Sequence, residues 1–138
     1  MLTGGADLAV QATGDVTISA NTVLNTRKVA NGSNPTSNSV LSIGNSGKVT
    51  LEGVNVKTEN ASLVDATVVN APASGDTPAT TFTDGDITLA ASDESKWGLM
   101  VALANANASV DVAGSLKGSN ISLEAGISAE GKYDSEKG

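Results

Sequence analysis

The 138-residue chain contains no cysteine and no histidine, and its only aromatic residues are Trp97, Tyr133 and Phe82. The absence of cysteine excludes disulfides and thiolate metal sites. The absence of histidine removes the commonest general base and the commonest metal ligand. The apolar content is therefore almost all Val, Leu, Ile and Ala, mixed with Gly, Ser, Thr, Asn and Asp. This composition favours many short strands and tight corners over packed helices.

Positive charge is also scarce, because eight Lys and Arg residues face fifteen Asp and Glu residues and give a formal net charge of −7. An acidic surface repels phosphate backbones and anionic lipid, which argues against nucleic-acid binding. No apolar run approaches the roughly 20 residues that a membrane-spanning helix requires. The hydrophobic content of 39% nevertheless argues against a disordered chain.

One short motif recurs along the chain. Four segments share two aliphatic residues two positions apart, a hydroxyl residue between them and a small residue at the end, and these segments are 14–20, 47–53, 85–91 and 119–125. Weaker copies centre on Leu8/Val10, Val54/Val56 and Val110/Val112. Such alternation predicts short strands with one buried face. The copies are irregularly spaced, which a solenoid with variable loops tolerates and a strict-period helical repeat does not.

The motif therefore predicts an all-β fold, and specifically a right-handed parallel β-helix (solenoid) with loop excursions. We expect residues 1–138 to form a single β-helix segment of a longer protein, since Met1 directly precedes sequence that already follows the pattern. The repeat units should stack in parallel and in register, whereas a β-sandwich would pair them antiparallel. Loops are expected at 25–46 and 71–84, which are rich in Asn, Ser, Thr, Gly and Pro, and a frayed polar tail at 131–138.

Glycine and asparagine are expected at the corners between strands, where a positive φ is needed. Four asparagines could form side-chain ladders between stacked units, or could be ordinary turn residues, and these are Asn21, Asn25, Asn55 and Asn120.

The run 110–126, Val-Asp-Val-Ala-Gly-Ser-Leu-Lys-Gly-Ser-Asn-Ile-Ser-Leu-Glu-Ala-Gly, resembles the haemagglutinin-type repeat. That repeat occurs in filamentous-haemagglutinin-like exoproteins of bacterial two-partner secretion, and the units that begin at Gly14 and Gly85 resemble it too. The resemblance implies a secreted cell-surface adhesin that acts in attachment, aggregation, biofilm formation and virulence, or the shaft of a contact-dependent growth-inhibition toxin. The partners it implies are neighbouring β-helix coils of the full-length protein, an outer-membrane transporter, and a surface glycan or receptor.

The chain offers few candidates for chemistry. Asp84 and Asp86 flank a glycine and could help to ligate Ca²⁺, although a solvated turn before a strand is the favoured interpretation. Trp97 could stack on a ligand or sit in an interface, although a structural tryptophan at a corner is favoured. A β-helix enzyme that processes polysaccharides is the alternative function, but it would need acidic, basic and aromatic residues gathered on one face. We therefore expect no enzymatic activity and no cofactor.

Overall fold

The computed structural model describes residues 1–95 and 108–129. These residues form ten β-strands and contain no helix, so none is available to cross a membrane. The strands are β1 (Leu8–Gln11), β2 (Val16–Ile18), β3 (Val23–Asn25), β4 (Val49–Gly53), β5 (Asn55–Thr58), β6 (Leu63–Asp65), β7 (Ile87–Ser95), β8 (Ser109–Val112), β9 (Ser115–Lys117) and β10 (Ile121–Ala129).

The strands belong to three sheets that the chain visits in a fixed order. The first sheet has the strand order β1-β4-β7-β10, the second β2-β5-β8 and the third β3-β6-β9. Every pair of these strands is parallel. We call each passage through the three sheets a round, so that β1–β3, β4–β6 and β7–β9 form three rounds and β10 opens a fourth. The predictions of an all-β chain and of parallel pairing between repeat units are confirmed, and the antiparallel pairing of a sandwich is not observed among the named strands.

The motif predicts that all four repeat units stack on one another, but only three of them do. In the first sheet the register partners Leu8, Val49, Ile87 and Ile121 follow each other at 41, 38 and 34 positions. Val16, from the unit at 14–20, lies instead in the second sheet, opposite Val56. The irregular spacing of the motif thus arises partly because its copies belong to two different sheets.

One hydrophobic core is shared by all three sheets. Its buried members alternate with outward residues along the strands and are Val16, Ile18, Leu24, Val49, Leu51, Val56, Val64, Ala66, Ile87, Leu89 and Ala91. The burial of Val49 and Leu51 is complete, while Thr50 between them is only half-buried. Full burial of each large aliphatic side chain contributes about 1.5–3 kcal/mol, so the stacked aliphatic columns are the main source of stability.

Two corner glycines are required because backbone from neighbouring rounds approaches closely. A Cβ on Gly85 would lie 2.0 Å from the carbonyl oxygen of Gly47, and a Cβ on Gly47 would lie 2.2 Å from that of Ala6. Neither glycine has a positive φ, so the expected reason for glycine is wrong at these two corners. At the corner between the second and third sheets, the left-handed conformation is adopted by Asn21 and Ala61, with φ values of 64° and 67°.

Polar side chains connect successive rounds along the outside. Asn55 donates from Nδ2 to the Asp15 carboxylate at 2.9 Å and accepts from the Ser109 hydroxyl at 2.8 Å, which makes a three-round ladder. Asn120 donates from Nδ2 to Asp86 at 3.2 Å. The ladder interpretation is therefore correct for Asn55 and Asn120. Asn25 instead hydrogen bonds to the loop that follows it, and Asn21 supplies the left-handed turn.

The long connections lie between the third and the first sheet. No strand is found from residue 26 to 48 or from residue 66 to 86, where isolated antiparallel bridges join Val29 to Ser42 and Ser74 to Thr77. The predicted loops at 25–46 and 71–84 fall within these two connections apart from Asn25, which ends β3. The predicted tail at 131–138 lies outside the described residues.

Candidate functional site

The two long connections leave the stack at equivalent positions of successive rounds. The register partners at the end of the third sheet are Asn25, Asp65 and Lys117. The register partners at the start of the first sheet are Val49, Ile87 and Ile121. In the third round, only Gly118, Ser119 and Asn120 separate these two columns. The first two rounds therefore contain extra residues at this one corner. We call residues 27–46 the first insertion, residues 67–84 the second insertion, and the two together the lateral unit.

Each insertion begins and ends at neighbouring points of the stack. The amide of Gly47 donates to the carbonyl oxygen of Thr26 at 3.2 Å, and the Thr26 hydroxyl donates to the carbonyl oxygen of Gly47 at 2.8 Å. In the next round the amide of Gly85 donates to the carbonyl oxygen of Ala66 at 2.7 Å. These bonds close the corner across the base of each insertion. The strands of the stack can therefore continue in register even though the chain has left and returned.

The chain turns out of the third sheet through the same local device in both rounds. The amide of Arg27 donates to the side-chain oxygen of Asn25 at 2.8 Å, and the amide of Thr67 donates to the carboxylate of Asp65 at 3.0 Å. Short Asn and Asp side chains favour such turns because they can capture the amide two residues ahead. An Asn or Asp at the end of an aliphatic strand thus starts each insertion.

The two insertions hydrogen bond directly to each other. The amide of Ser42 donates to the carbonyl oxygen of Val69 at 2.8 Å, and the Ser42 hydroxyl accepts from the Val69 amide at 2.9 Å. Nearer the stack, the amide of Ser46 donates to the carbonyl oxygen of Thr83 at 3.1 Å, and the Thr83 amide donates to the Asn45 side chain at 2.9 Å. The lateral unit is therefore one connected body and not two independent loops.

Arg27 lies at the centre of this body, with a relative exposure of 1%. Its Nε donates to the carbonyl oxygen of Thr67 at 3.0 Å, and its Nη1 donates to the carbonyl oxygens of Pro35 and Ser37 at 3.0 and 3.1 Å. Its Nη2 donates to the Thr67 hydroxyl at 3.2 Å and to the Asp65 carboxylate at 3.3 Å. These five bonds match the five donors of a guanidinium, so the buried charge is fully hydrogen-bonded.

The outer surface of the lateral unit differs from that of the acidic chain as a whole. Its insertions carry two basic residues, Arg27 and Lys28, and two acidic residues, Asp76 and Asp84, so they have no net formal charge. Lys28 and Asp76 are exposed, whereas Arg27 is buried. The other exposed residues are Asn, Ser and Thr together with Ala, Gly and Pro, and Leu41 and Ile43 are exposed by 46% and 51%. A partner can approach this surface without the electrostatic repulsion expected from an acidic protein.

The two candidate calcium ligands hold backbone amides. The Asp84 carboxylate accepts from the amide of Val68 at 2.8 Å, which ties the end of the second insertion to its beginning. The Asp86 carboxylate accepts from the amide of Asn120 at 3.2 Å, as well as from the side chain of that residue. Within residues 1–95 and 108–129, no group of three or more Asp or Glu side chains is placed to hold a metal ion. The other candidate site residue, Trp97, lies outside the described residues.

The sequence reading missed Arg27 altogether. Beside Lys28 it resembles one half of an ordinary solvated basic pair, and nothing local marks it as buried. The sequences at the ends of β3 and β6, just before the two insertions, nevertheless resemble each other. The segment Val23-Leu24-Asn25-Thr26 is matched by Leu63-Val64-Asp65-Ala66, and this similarity would have identified β3, β6 and the equivalent starts of the two insertions.

No family model, curated protein or solved structure matches this chain. The geometry of the lateral unit and the resemblance carried by the repeat units are therefore the basis for assigning a function.

Proposed function

We propose that the chain is a segment of a right-handed parallel β-helix in a secreted bacterial surface adhesin, similar to filamentous-haemagglutinin-like exoproteins. The stacked rounds are the stiff support, and the lateral unit is the surface that contacts the partner in cell attachment, aggregation or biofilm formation. The observation that carries the proposal is the presence of interlocked insertions at the same corner of two successive rounds, where the third round closes without one. Loop residues inserted at one corner, in excess of those that connect the strands, are typical of binding surfaces on rigid scaffolds.

Three further features support the proposal. The chain passes through three parallel sheets in a constant order, which is the order of a three-sided β-helix, and right-handed crossovers are the general rule for parallel strands. The repeat units carry the haemagglutinin-type resemblance. The core residues of the three sheets form one continuous cluster, as a solenoid requires. The resemblance additionally implies export through an outer-membrane transporter.

The binding role can be tested by removing the lateral unit. The third round shows how the chain closes without an insertion. By register Gly118 is equivalent to Thr26 and Ala66, and Ser119 is equivalent to Gly47 and Gly85, and no residue is inserted between Gly118 and Ser119. A variant in which Thr26 is joined to Gly47 and Ala66 to Gly85 copies this connection in the first two rounds. It should also carry Asp65→Asn, since deletion removes the Arg27 partner of this buried carboxylate and the register partner of Asp65 is already Asn25.

Purified wild type and this deletion variant should be compared on arrays of glycans and bacterial surface polysaccharides and in adherence to bacterial and host cells. We expect wild-type binding to at least one surface, and loss of that binding on deletion while the β-type circular dichroism spectrum is kept. Equal binding by the folded deletion variant would refute the role of the lateral unit. The absence of wild-type binding to every surface would refute the adhesin proposal.

A further inference from the structure

The first insertion contains the only asparagine in the sequence that is followed by glycine, Asn31-Gly32. These two residues are at the centre of a turn, which is closed by a hydrogen bond of 3.0 Å from the amide of Ser33 to the carbonyl oxygen of Ala30. Gly32 has a φ of 85°, a left-handed conformation that glycine adopts without strain. Asn31 and Gly32 are both exposed, so the turn lies on the surface of the lateral unit.

The side chain of Asn31 and the backbone amide of Gly32 are not held by other residues. Within residues 1–95 and 108–129, the Asn31 side chain makes no hydrogen bond and the Gly32 amide donates to no acceptor. A Cβ at Gly32 would meet no atom within 4 Å. The side chain of Asn31 can therefore rotate until its amide carbon lies against the backbone nitrogen of Gly32, and no neighbouring group blocks the approach.

This approach permits a reaction between the two residues. The Gly32 nitrogen gives up its proton and forms a bond to Cγ of Asn31, while the bond from Cγ to Nδ2 breaks and Nδ2 leaves as ammonia with that proton. The product is a five-membered succinimide ring. One water molecule then opens either of the two ring bonds to nitrogen, which yields aspartate or isoaspartate at position 31. Glycine favours the attack because it carries no side chain that would hinder it.

The second insertion ends at a step that can form the same ring, Asp84-Gly85, but there both groups are held. The Asp84 carboxylate accepts from the amide of Val68 at 2.8 Å, and the Gly85 amide donates to the carbonyl oxygen of Ala66 at 2.7 Å. Gly85 is also buried. Attack of the Gly85 nitrogen on Asp84 requires both bonds to break, so it depends on local opening of the corner. The fold therefore leaves one of the two steps free to react and protects the other.

We propose that Asn31 is a site of spontaneous deamidation, through which the lateral unit acquires a carboxylate without an enzyme. The insertions carry two basic and two acidic residues, so one further carboxylate makes the lateral unit acidic like the chain as a whole. The isoaspartate product also lengthens the main chain by one carbon atom at this turn. The proposal does not depend on the adhesin function, because it rests on the geometry and chemistry of one turn.

The reaction can be measured on the full chain in water enriched in heavy oxygen, which labels each succinimide as it opens. Folded protein and protein unfolded in guanidinium chloride are incubated side by side at mildly alkaline pH, and peptide mapping by mass spectrometry then reports the label at Asn31 and at Asp84. We expect folding to slow labelling at Asn31 by less than about tenfold and labelling at Asp84 by more than about tenfold, because only the second site requires local opening.

Two variants assign the new charge to this residue. Asn31→Gln keeps a neutral amide, but its extra methylene disfavours the five-membered ring, whereas Asn31→Asp carries the charge of the product from the start. On anion-exchange chromatography we expect incubated wild type to gain a species that elutes with Asn31→Asp, and incubated Asn31→Gln to gain much less of it. Slowing of the Asn31 reaction by more than about tenfold on folding, or slowing of Asp84 no greater than that of Asn31, would overturn the proposal. Equal growth of the acidic species in wild type and Asn31→Gln would overturn it as well.

Discussion

The guanidinium of Arg27 and the carboxylate of Asp65 form an ion pair of 3.3 Å in which the two side chains are only 1% and 8% exposed. Asp65 ends a strand of the stack, whereas Arg27 belongs to the first insertion. The contact therefore joins the scaffold of the second round to the insertion of the first. The position of this ion pair makes the effects of mutations around it predictable.

Replacement of Arg27 should be costly. Arg27→Met removes the charge that faces Asp65 and the hydrogen bonds that Arg27 donates to carbonyl oxygens of both insertions. Loss of one partner of a buried ion pair costs about 3–5 kcal/mol. We expect a loss of this size in the free energy of unfolding measured with urea. Lys28→Met makes the same change in charge at an exposed neighbour and should cost less than about 0.5 kcal/mol. Equal effects of the two substitutions would contradict the assigned role of Arg27.

The two insertions should depend on each other. Deletion of residues 67–84 alone leaves Arg27 without its two bonds to Thr67, and Ser42 without its partner Val69. The double deletion with Asp65→Asn removes both sides of these contacts together. Because unpaired buried polar groups are expensive, we expect the single deletion to lower the urea midpoint more than the double deletion does. A double deletion that lowers the urea midpoint further than the single deletion would show that the lateral unit is not one body.

Two glycines of the same local motif should respond in opposite ways to alanine. In Gly85→Ala the new Cβ would clash with the carbonyl oxygen of Gly47, whereas at Gly14 a Cβ would meet nothing within 4 Å. We expect Gly85→Ala to destabilise the protein by about 1–3 kcal/mol. Gly14→Ala should be neutral or stabilising by up to about 1 kcal/mol, because it reduces the freedom of the unfolded chain. Thermal and urea unfolding of the two variants measure the difference directly.

The left-handed corner should discriminate between alanine and asparagine. Ala61 adopts a φ of 67°, a conformation that costs an L-residue roughly 1–2 kcal/mol and that asparagine tolerates better. Ala61→Asn should therefore raise the free energy of unfolding by about 0.5–1 kcal/mol. Asn21→Ala, at the equivalent corner of the previous round, should lower it by a similar amount. Changes of the same sign in both variants would be inconsistent with strain at this corner.

Part of the fold is readable from local sequence because its cause is local. Alternation of aliphatic and hydroxyl residues, as in Val49-Thr50-Leu51, is enough to predict a short strand with one buried face. The repetition of that unit, together with the near absence of aromatic residues, is enough to predict stacked parallel strands. The Asn and Asp that end β3 and β6 are likewise short-range signals for the turns that start the insertions.

The lateral unit was only partly predictable. The composition of 25–46 and 71–84 indicated loops, but not that both leave at one corner and bond to each other. That relationship depends on register, because Asn25 and Asp65 are a full round apart in sequence and lie opposite each other in the third sheet. The burial of Arg27 follows from the same juxtaposition, since its partners Asp65 and Thr67 come from the next round.

The amino-acid sequence by itself determined that this protein consists of short strands with an aliphatic inner face, because these properties depend on residues one or two positions apart. Only the tertiary structure decided which sheet each unit enters, which glycine is indispensable and which charge is buried. The units at Gly14 and Gly85 are nearly identical locally, yet one glycine faces open space and the other faces a carbonyl oxygen from another round. The physical reason is that such contacts are made between rounds, and their register is set by the lengths of the connections and by the packing of the whole stack.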